Sequence, residues 1–170
     1  MEINLRQNKF SGTKDVQTHL RLDEESLDTW LKSHVPDFEG PLKLSEFKGG
    51  QSNPTYCIDT KKASYVLRRK PPGELLPSAH AVDREFKVIE ALHGQGFPVP
   101  KPYAVCDDPN VLGTIFYVME KVEGRIFWEL SLPELTPITR ASIYDSQLKT
   151  LTDLQAIDFK RAGLSDFGKT

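Results

Sequence analysis

The sequence has 170 residues, 38% of them hydrophobic, which is enough for one ordinary globular domain with a core. Its net charge of −2 gives no reason to expect binding to nucleic acid or to an anionic membrane. No run approaches the roughly 18 apolar residues that cross a bilayer, and the polar start predicts no secretory signal. Cys57 and Cys106 lie far apart without metal-ligand spacing, so we expect reduced thiols in a cytoplasmic protein.

The first part of the chain predicts a leader, a helix and a strand meander. Residues 1–22 lack sustained periodicity, so we expect a flexible leader. Asp23 is an N-cap candidate for a helix that carries apolar residues at helical spacing and ends before Pro36. Alternating or β-prone runs then predict three short antiparallel strands at 42–47, 55–58 and 64–69.

The middle of the chain predicts one main helix and two more strands. Apolar residues recur at three- and four-residue steps between residues 79 and 93, which favours a helix with one buried face. Residues 103–106 form the next predicted strand, and the continuous apolar run at 115–119 is typical of a strand buried on both faces. The predicted fold class is therefore α+β, with a five-stranded antiparallel sheet and one main helix.

The last third predicts a different kind of structure. Residues 135–157 form one predicted helix with an apolar stripe, which a lone helix cannot bury without partners. We therefore expect the chain to break off within a second, helical domain, and an isolated fragment to self-associate. The predicted organisation is a leader at 1–22, a sheet-based lobe at 23–119, a hinge and linker at 120–134, and the start of a helical lobe at 135–170.

A glycine turn is the first candidate for binding chemistry. Gly49, Gly50, Gln51, Ser52 and Asn53 lie between two predicted strands. Consecutive backbone N–H groups in such a turn form a concavity for anions, and the serine hydroxyl could add a donor to a phosphate oxygen. A plain hairpin turn is the alternative. The turn is neither a Walker A loop nor a dinucleotide-binding fingerprint, because no Gly-Lys-Ser/Thr and no helix follow it.

A cation and a carboxylate follow the turn. Arg68 lies two residues after Val66, so both side chains share one face of a strand. Val66 is compact enough to roof a flat aromatic ring, while Arg68 would reach towards phosphates. Glu85 borders the buried face of the following helix and could pair with Arg68. The alternatives are a solvated basic strand end, since Arg69 follows, and an ordinary surface carboxylate.

The apolar strand runs into an extended segment that could recognise adenine. In this segment, Met119 to Gly124, the Glu120 carbonyl would accept from the exocyclic amine and the Val122 N–H would donate to a ring nitrogen. The short motif is weak by itself. It gains weight from its position after the turn, the cation and the carboxylate.

Several ordered stretches resemble one known family, the aminoglycoside phosphotransferase/choline kinase-like branch of the protein-kinase fold. The chain is most similar to the phosphotransferase domain found beside acyl-CoA dehydrogenases. The matching stretches are Gly50–Thr55, Tyr65–Gly73, Ser78–Phe86, Pro98–Pro102, Phe116–Glu120 and Glu123–Trp128. The resemblance implies a kinase-like small lobe followed by a linker and the first helix of a large lobe.

The resemblance also implies roles for individual residues. Arg68 would contact the nucleotide phosphates, Glu85 would be its partner, and residues 120–122 would form the hinge. The family transfers the γ-phosphate of ATP, with magnesium, to a hydroxyl group of a small molecule, and hydroxyacyl compounds are the implied substrates of this branch. Cofactor-binding residues are thus expected at Gly49, Gly50, Ser52, Asn53, Val66, Arg68, Glu85, Met119, Glu120 and Val122.

Two departures from the family pattern limit that expectation. The family's catalytic loop has the form His-Gly-Asp, but none of the four histidines here is followed two residues later by Asp. The triplet at 166–168 spells the kinase metal motif, yet no catalytic loop precedes it, so we interpret it as a connector. We expect no catalytic and no metal-binding residue in the chain; the magnesium ligands would belong to a missing lobe. Gln155 also replaces a histidine common in relatives, with no clear consequence.

The sequence thus predicts the ATP-binding lobe of a small-molecule phosphotransferase, inactive by itself, whose partners are ATP and a hydroxylated substrate. The alternative is a non-catalytic nucleotide- or partner-binding module derived from such a lobe. An unrelated α+β domain with a chance hairpin is disfavoured by the number of ordered matches.

Overall fold

A six-stranded antiparallel sheet is the centre of the computed structural model, which describes residues 9–49, 52–73 and 80–168. The strand order is β1-β2-β3-β4-β6-β5. The sheet therefore has one strand more than the five predicted. The strands are β1 (Thr13–Lys14), β2 (Lys43–Phe47), β3 (Thr55–Asp59), β4 (Ser64–Arg69), β5 (Pro102–Cys106) and β6 (Phe116–Glu120).

Three helices of two or more turns and one short helix complete the described elements. They are α1 (Glu24–His34), α2 (Val82–Gly94), the four-residue α3 (Pro109–Leu112) and α4 (Pro137–Gln155), with a 3-10 turn at Thr18–Leu20. The N-cap prediction for α1 is confirmed, because the Asp23 carboxylate accepts hydrogen bonds from the backbone N–H groups of Glu25 and Ser26. The predicted main helix and long C-terminal helix are both present.

One face of the sheet packs on α1. Trp30 of this helix lies edge-on to Phe116 of β6, with ring centroids 4.8 Å apart. The core on this side consists of apolar side chains of α1 and of the inward positions of β3, β4 and β6. Its fully buried members include Leu27, Leu31, Tyr56, Ile58, Leu67, Phe116 and Val118. Burial of each such side chain contributes about 1.5–3 kcal/mol to the stability of the fold.

The opposite face of the sheet packs on α2 and carries the candidate site. Side chains alternate between faces along a strand, and the register places Val66 of β4 between Cys57 of β3 and Met119 of β6. The next row of the same face is Thr55, Arg68 and Tyr117. A small cluster of Val82, Phe86 and Tyr117 joins α2 to this face.

The described part of the predicted leader lies against the sheet. Residues 13–14 pair with β2 as β1, and the backbone N–H of Lys48 donates to the Gly12 carbonyl at 3.1 Å. The Gln17 amide donates to the Glu46 carboxylate at 2.9 Å. The sequence lacks a signal here because two residues are too few to show an alternating pattern.

The long helix α4 has no buried residue. Most of its large apolar side chains are exposed, from 40% for Leu154 to 81% for Ile138, while Ile143 is half-buried. The predicted apolar stripe is therefore largely exposed. None of the helices in the described ranges combines the length and hydrophobicity that crossing a lipid bilayer requires.

Candidate nucleotide site

Arg68 and Glu85 form an ion pair on the α2-facing side of the sheet, as expected. Arg68 Nε lies 2.7 Å from Glu85 Oε2, and the two side chains are 28% and 36% exposed. The Nε atom itself is buried, and within the described ranges no acceptor meets hydrogen-bond geometry with it. The contact is therefore ionic, and the guanidinium keeps hydrogen-bonding capacity for an anion at the open side of the pair.

Two further side chains hold the Glu85 carboxylate. Tyr117 donates its hydroxyl to Oε2 at 3.2 Å, and Asn53 donates Nδ2–H to Oε1 at 3.0 Å. Burial raises the pKa of the Tyr117 hydroxyl, and the charge of Glu85 raises it further. Both Glu85 oxygens therefore have partners before any ligand binds.

Asn53 also contacts His80, which precedes α2. The distance from Asn53 Oδ1 to His80 Nδ1 is 2.7 Å, and Asn53 is only 3% exposed. His80 has φ 58, a left-handed conformation that costs an L-residue about 1–2 kcal/mol. Asn53, expected to contact a nucleotide, therefore uses both polar groups of its side chain within the protein.

The row formed by Cys57, Val66 and Met119 places apolar side chains next to this network. Val66 is 7% exposed and Cys57 is 1% exposed. Burial raises the pKa of the Cys57 thiol to about 11, and the nearby Asp59 carboxylate, to which the thiol donates at 3.4 Å, adds to the shift. A neutral, buried row of this kind suits the face of an aromatic ring.

The hinge candidates follow this row. Glu120 is anchored to Lys101 twice: its N–H donates to the Lys101 carbonyl at 2.8 Å, and its carboxylate accepts from the Lys101 N–H at 3.1 Å. Beyond it the backbone leaves the sheet, and Val122 is 62% exposed. The segment is therefore fixed at its start and open after it.

The glycine turn is described only at its ends. A Cβ at Gly49 would lie 3.3 Å from the Phe10 carbonyl oxygen and 3.5 Å from the Trp128 ring, so the absence of a side chain permits this approach. Ser52 is exposed. The prediction for Gly50 lies outside the described residues.

The triplet at 166–168 packs on the outside of α2. Asp166 Oδ1 accepts from Lys87 Nζ at 2.9 Å, a bond that lowers the pKa of the Asp166 carboxyl. The Phe167 ring lies under the Arg84 guanidinium, 4.4 Å from the ring centroid. Phe167 and α2 border an open cleft of about 550 Å³ that Glu85 and Tyr117 also line. Asp166 is thus engaged by a lysine, and the described residues contain no group of three or more His, Cys, Asp or Glu suited to a metal ion.

Sequence reasoning found the ion pair but missed Tyr117, His80 and Cys57. Tyr117 lies two residues before Met119, so strand alternation could have placed it on the site face. His80 carries no local signal, because its partner is 27 residues away in the chain.

Comparisons with known proteins identify the family of the chain. The model of the phosphotransferase enzyme family matches residues 43–170. Acyl-CoA dehydrogenase family member 11 of Rattus norvegicus is 45% identical over 160 residues, which are 92% of this chain and 20% of that protein. Acyl-CoA dehydrogenase family member 10 of Mus musculus is 40% identical over 159 residues, or 93% of this chain and 15% of that protein.

A solved structure is also similar. A Ralstonia eutropha protein, provisionally described as an aminoglycoside phosphotransferase, matches with a TM-score of 0.77 and 42% identity over 88% of this chain and 43% of its own. The chain thus spans about a fifth or less of the two curated relatives and under half of the solved protein. The match over residues 43–170, together with a shared kinase-like fold, shows that this chain belongs to the phosphotransferase enzyme family.

Proposed function

We propose that the chain is the nucleotide-binding lobe of a phosphotransferase that transfers the γ-phosphate of ATP to a hydroxyl group of a small molecule. The observation that carries the proposal is the Arg68–Glu85 ion pair, 2.7 Å between Nε and Oε2, on the α2-facing side of the sheet next to Asn53. Membership of a phosphotransferase family supports the reaction class. The family description names neither ATP nor a hydroxyl acceptor, so both are part of what we propose.

Arg68 would bind the phosphates. Phosphate oxygens need a cation whose donors remain available, and Arg68 is half-buried with a single carboxylate beside it. Its neighbour Arg69 lies on the opposite face and is committed to Thr114 and Leu112. The backbone N–H groups of the glycine turn and the Ser52 hydroxyl would complete the anion site.

Adenine would lie against the row of Cys57, Val66 and Met119. The ring edge would then meet the chain after β6, where the Glu120 carbonyl and the Val122 N–H would serve as acceptor and donor. The anchoring of Glu120 to Lys101 supports this assignment, because a fixed backbone loses little entropy when it binds a ligand.

Magnesium belongs to the proposed reaction, where it would neutralise charge on the transferring phosphoryl group. Since the described residues offer no cluster of metal ligands, we assign none of them to the ion. The names of the relatives as acyl-CoA dehydrogenase family members support an acyl compound as the acceptor, and we propose that it carries the hydroxyl group.

Isothermal titration with MgATP tests the proposal. The protein should bind MgATP, and Arg68→Ala should weaken binding at least tenfold, since it removes a charge-assisted contact worth about 1.4 kcal/mol or more. Lys62→Ala, which removes an exposed cation paired with Glu39, is the matched control and should bind like the parent protein. Equal affinity of the two variants would refute the assignment of Arg68.

A second candidate is a non-catalytic binding module. It is favoured by the lack of any histidine followed two residues later by Asp in the 170 residues. The module would bind a nucleotide or a partner protein, and only the first candidate predicts ATP-dependent phosphorylation of an alcohol by the protein in its natural form. Tight binding without such turnover would favour the module.

A further inference from the structure

We propose that Asn53 and His80 are positioning residues for the nucleotide site. They are linked to Glu85 by a one-way hydrogen-bond chain, in which His80 donates to Asn53 and Asn53 donates to Glu85. The inference rests on the proposed nucleotide site but concerns residues that contact no substrate in it. Its basis is the set of distances from His80 Nδ1 to Asn53 Oδ1, 2.7 Å, and from Asn53 Nδ2 to Glu85 Oε1, 3.0 Å.

The direction of the chain follows from the chemistry of its end. An ionised carboxylate only accepts hydrogen bonds, so Asn53 must present its NH₂ group to Glu85. The amide oxygen of Asn53 then faces His80 and must itself accept. His80 Nδ1 must therefore carry a hydrogen, whether or not the second ring nitrogen does.

The second oxygen of Glu85, Oε2, also accepts a hydrogen bond. Tyr117 donates to Oε2 at 3.2 Å, and Arg68, which has donors only, lies 2.7 Å from it. The carboxylate is thus surrounded by two hydrogen-bond donors, Asn53 and Tyr117, and by the Arg68 cation. If the Asn53 amide were reversed, its oxygen would face the Glu85 carboxylate and repel it. The hydrogen bonds in their observed direction therefore keep Glu85 beside Arg68.

The location of the links gives the chain its function. Asn53 is the last residue of the glycine turn, Glu85 lies in the first turn of α2, and His80 precedes that helix. Asn53 is 3% exposed, so solvent does not replace its partners. His80 also has a left-handed backbone, φ 58, and its carbonyl accepts from the Val82 N–H of α2 at 2.9 Å. The turn, the helix and the phosphate cation are therefore coupled through one amide.

The first test reads the tautomer of His80 by long-range proton–nitrogen NMR of the protein without nucleotide. The resonance of His80 is assigned by its loss in His80→Phe. We expect Nδ1 to be the protonated nitrogen of the neutral ring. A neutral ring protonated at Nε2 would overturn the proposal.

Glu85→Gln provides a second readout at a residue that has no hydrogen bond to His80 in the described structure. Arg68 requires the new amide oxygen on its side, so the amide NH₂ faces Asn53. Asn53 must then turn over and present its own NH₂ to His80. We expect the neutral tautomer of His80 to switch from Nδ1–H to Nε2–H. An unchanged tautomer would contradict a one-way chain.

Two substitutions of His80 test the effect on binding. His80→Asn places a donor where Nδ1 lies and tolerates positive φ, whereas His80→Asp has the same shape and tolerance but only acceptors. We expect His80→Asn to bind MgATP within about twofold of the parent protein. His80→Asp should bind about tenfold more weakly, because an acceptor facing the Asn53 oxygen opposes the charge-assisted bond from Asn53 to Glu85. His93→Asp, on the exposed end of α2, controls for added charge.

The outcomes separate this inference from the proposed function. If the parent protein fails to bind MgATP, the proposed function fails. The NMR tests still show whether the hydrogen bonds from His80 through Asn53 to Glu85 have the proposed direction. If the parent protein binds and both His80 variants bind equally well, the positioning role fails and the nucleotide site stands.

Discussion

Two neighbouring arginines allow stability and binding to be separated. Arg69 is 7% exposed, and its guanidinium donates to the Thr114 hydroxyl at 2.8 Å and to the Leu112 carbonyl at 2.7 Å. It thereby ties β4 to the connection between α3 and β6. Arg68 pairs with a carboxylate that is 36% exposed. We predict that Arg69→Ala destabilises the fold far more than Arg68→Ala.

The magnitudes follow from these contacts. A hydrogen bond from a charged group contributes about 1.5–3 kcal/mol, and the two bonds of Arg69 share one desolvation cost, so its loss should lower the free energy of unfolding by about 3 kcal/mol. A half-exposed ion pair such as that of Arg68 contributes about 0–1 kcal/mol.

Urea unfolding followed by circular dichroism measures both changes. With an m-value of about 2 kcal/mol/M, Arg69→Ala should lower the midpoint by about 1.5 M, and Arg68→Ala by less than about 0.5 M. Arg69→Lys should fall between them, because an ammonium group does not reproduce the fork of a guanidinium. Equal midpoints for the two alanine variants would refute the assignment of Arg69 to the core and Arg68 to the site.

Three further predictions concern single groups. Burial raises the pKa of Cys57 from 9.0 to about 11, so a thiol reagent at pH 8 should modify this residue only after unfolding. Because the thiol loses its proton at a lower pH in the unfolded protein, the free energy of unfolding should fall as the pH rises from about 9 to 11. A free energy that stays constant over this pH range would contradict the burial of Cys57. Asp166→Ala should leave MgATP affinity unchanged in calorimetry, because the carboxylate binds Lys87 outside the site; a large loss of affinity would contradict the interpretation of the triplet as a connector. Tyr117→Phe should lower the free energy of unfolding, measured in urea, by about 1 kcal/mol, because it removes the hydrogen bond to Glu85. An unchanged free energy of unfolding would show that this hydrogen bond does not stabilise the protein.

Strand alternation and helical periodicity were sufficient to predict most elements of the lobe. β4 is observed with the predicted bounds, 64–69, because a polar turn and a proline pair delimit it. Alternation also placed Val66 and Arg68 on one face. It could not show that Arg69 is buried, since that depends on the Leu112 carbonyl, 43 residues further along the chain.

The residues that hold Glu85 could not be predicted from the sequence, because they also depend on contacts between distant parts of the chain. Asn53 reads as one residue of a glycine turn, and only the packing of α2 on the sheet brings it to Glu85 and His80. β1 was missed because it consists of two residues paired with a strand some thirty positions later. Long-range polar contacts of this kind leave no periodic signal.

The most direct test of the central claim is a crystal structure of the protein with a non-hydrolysable ATP analogue. The account predicts phosphate oxygens within hydrogen-bond distance of the Arg68 guanidinium and the adenine ring against Val66 and Met119, with its edge at Glu120 and Val122. A nucleotide bound elsewhere, with Arg68 contacting only Glu85, would contradict it.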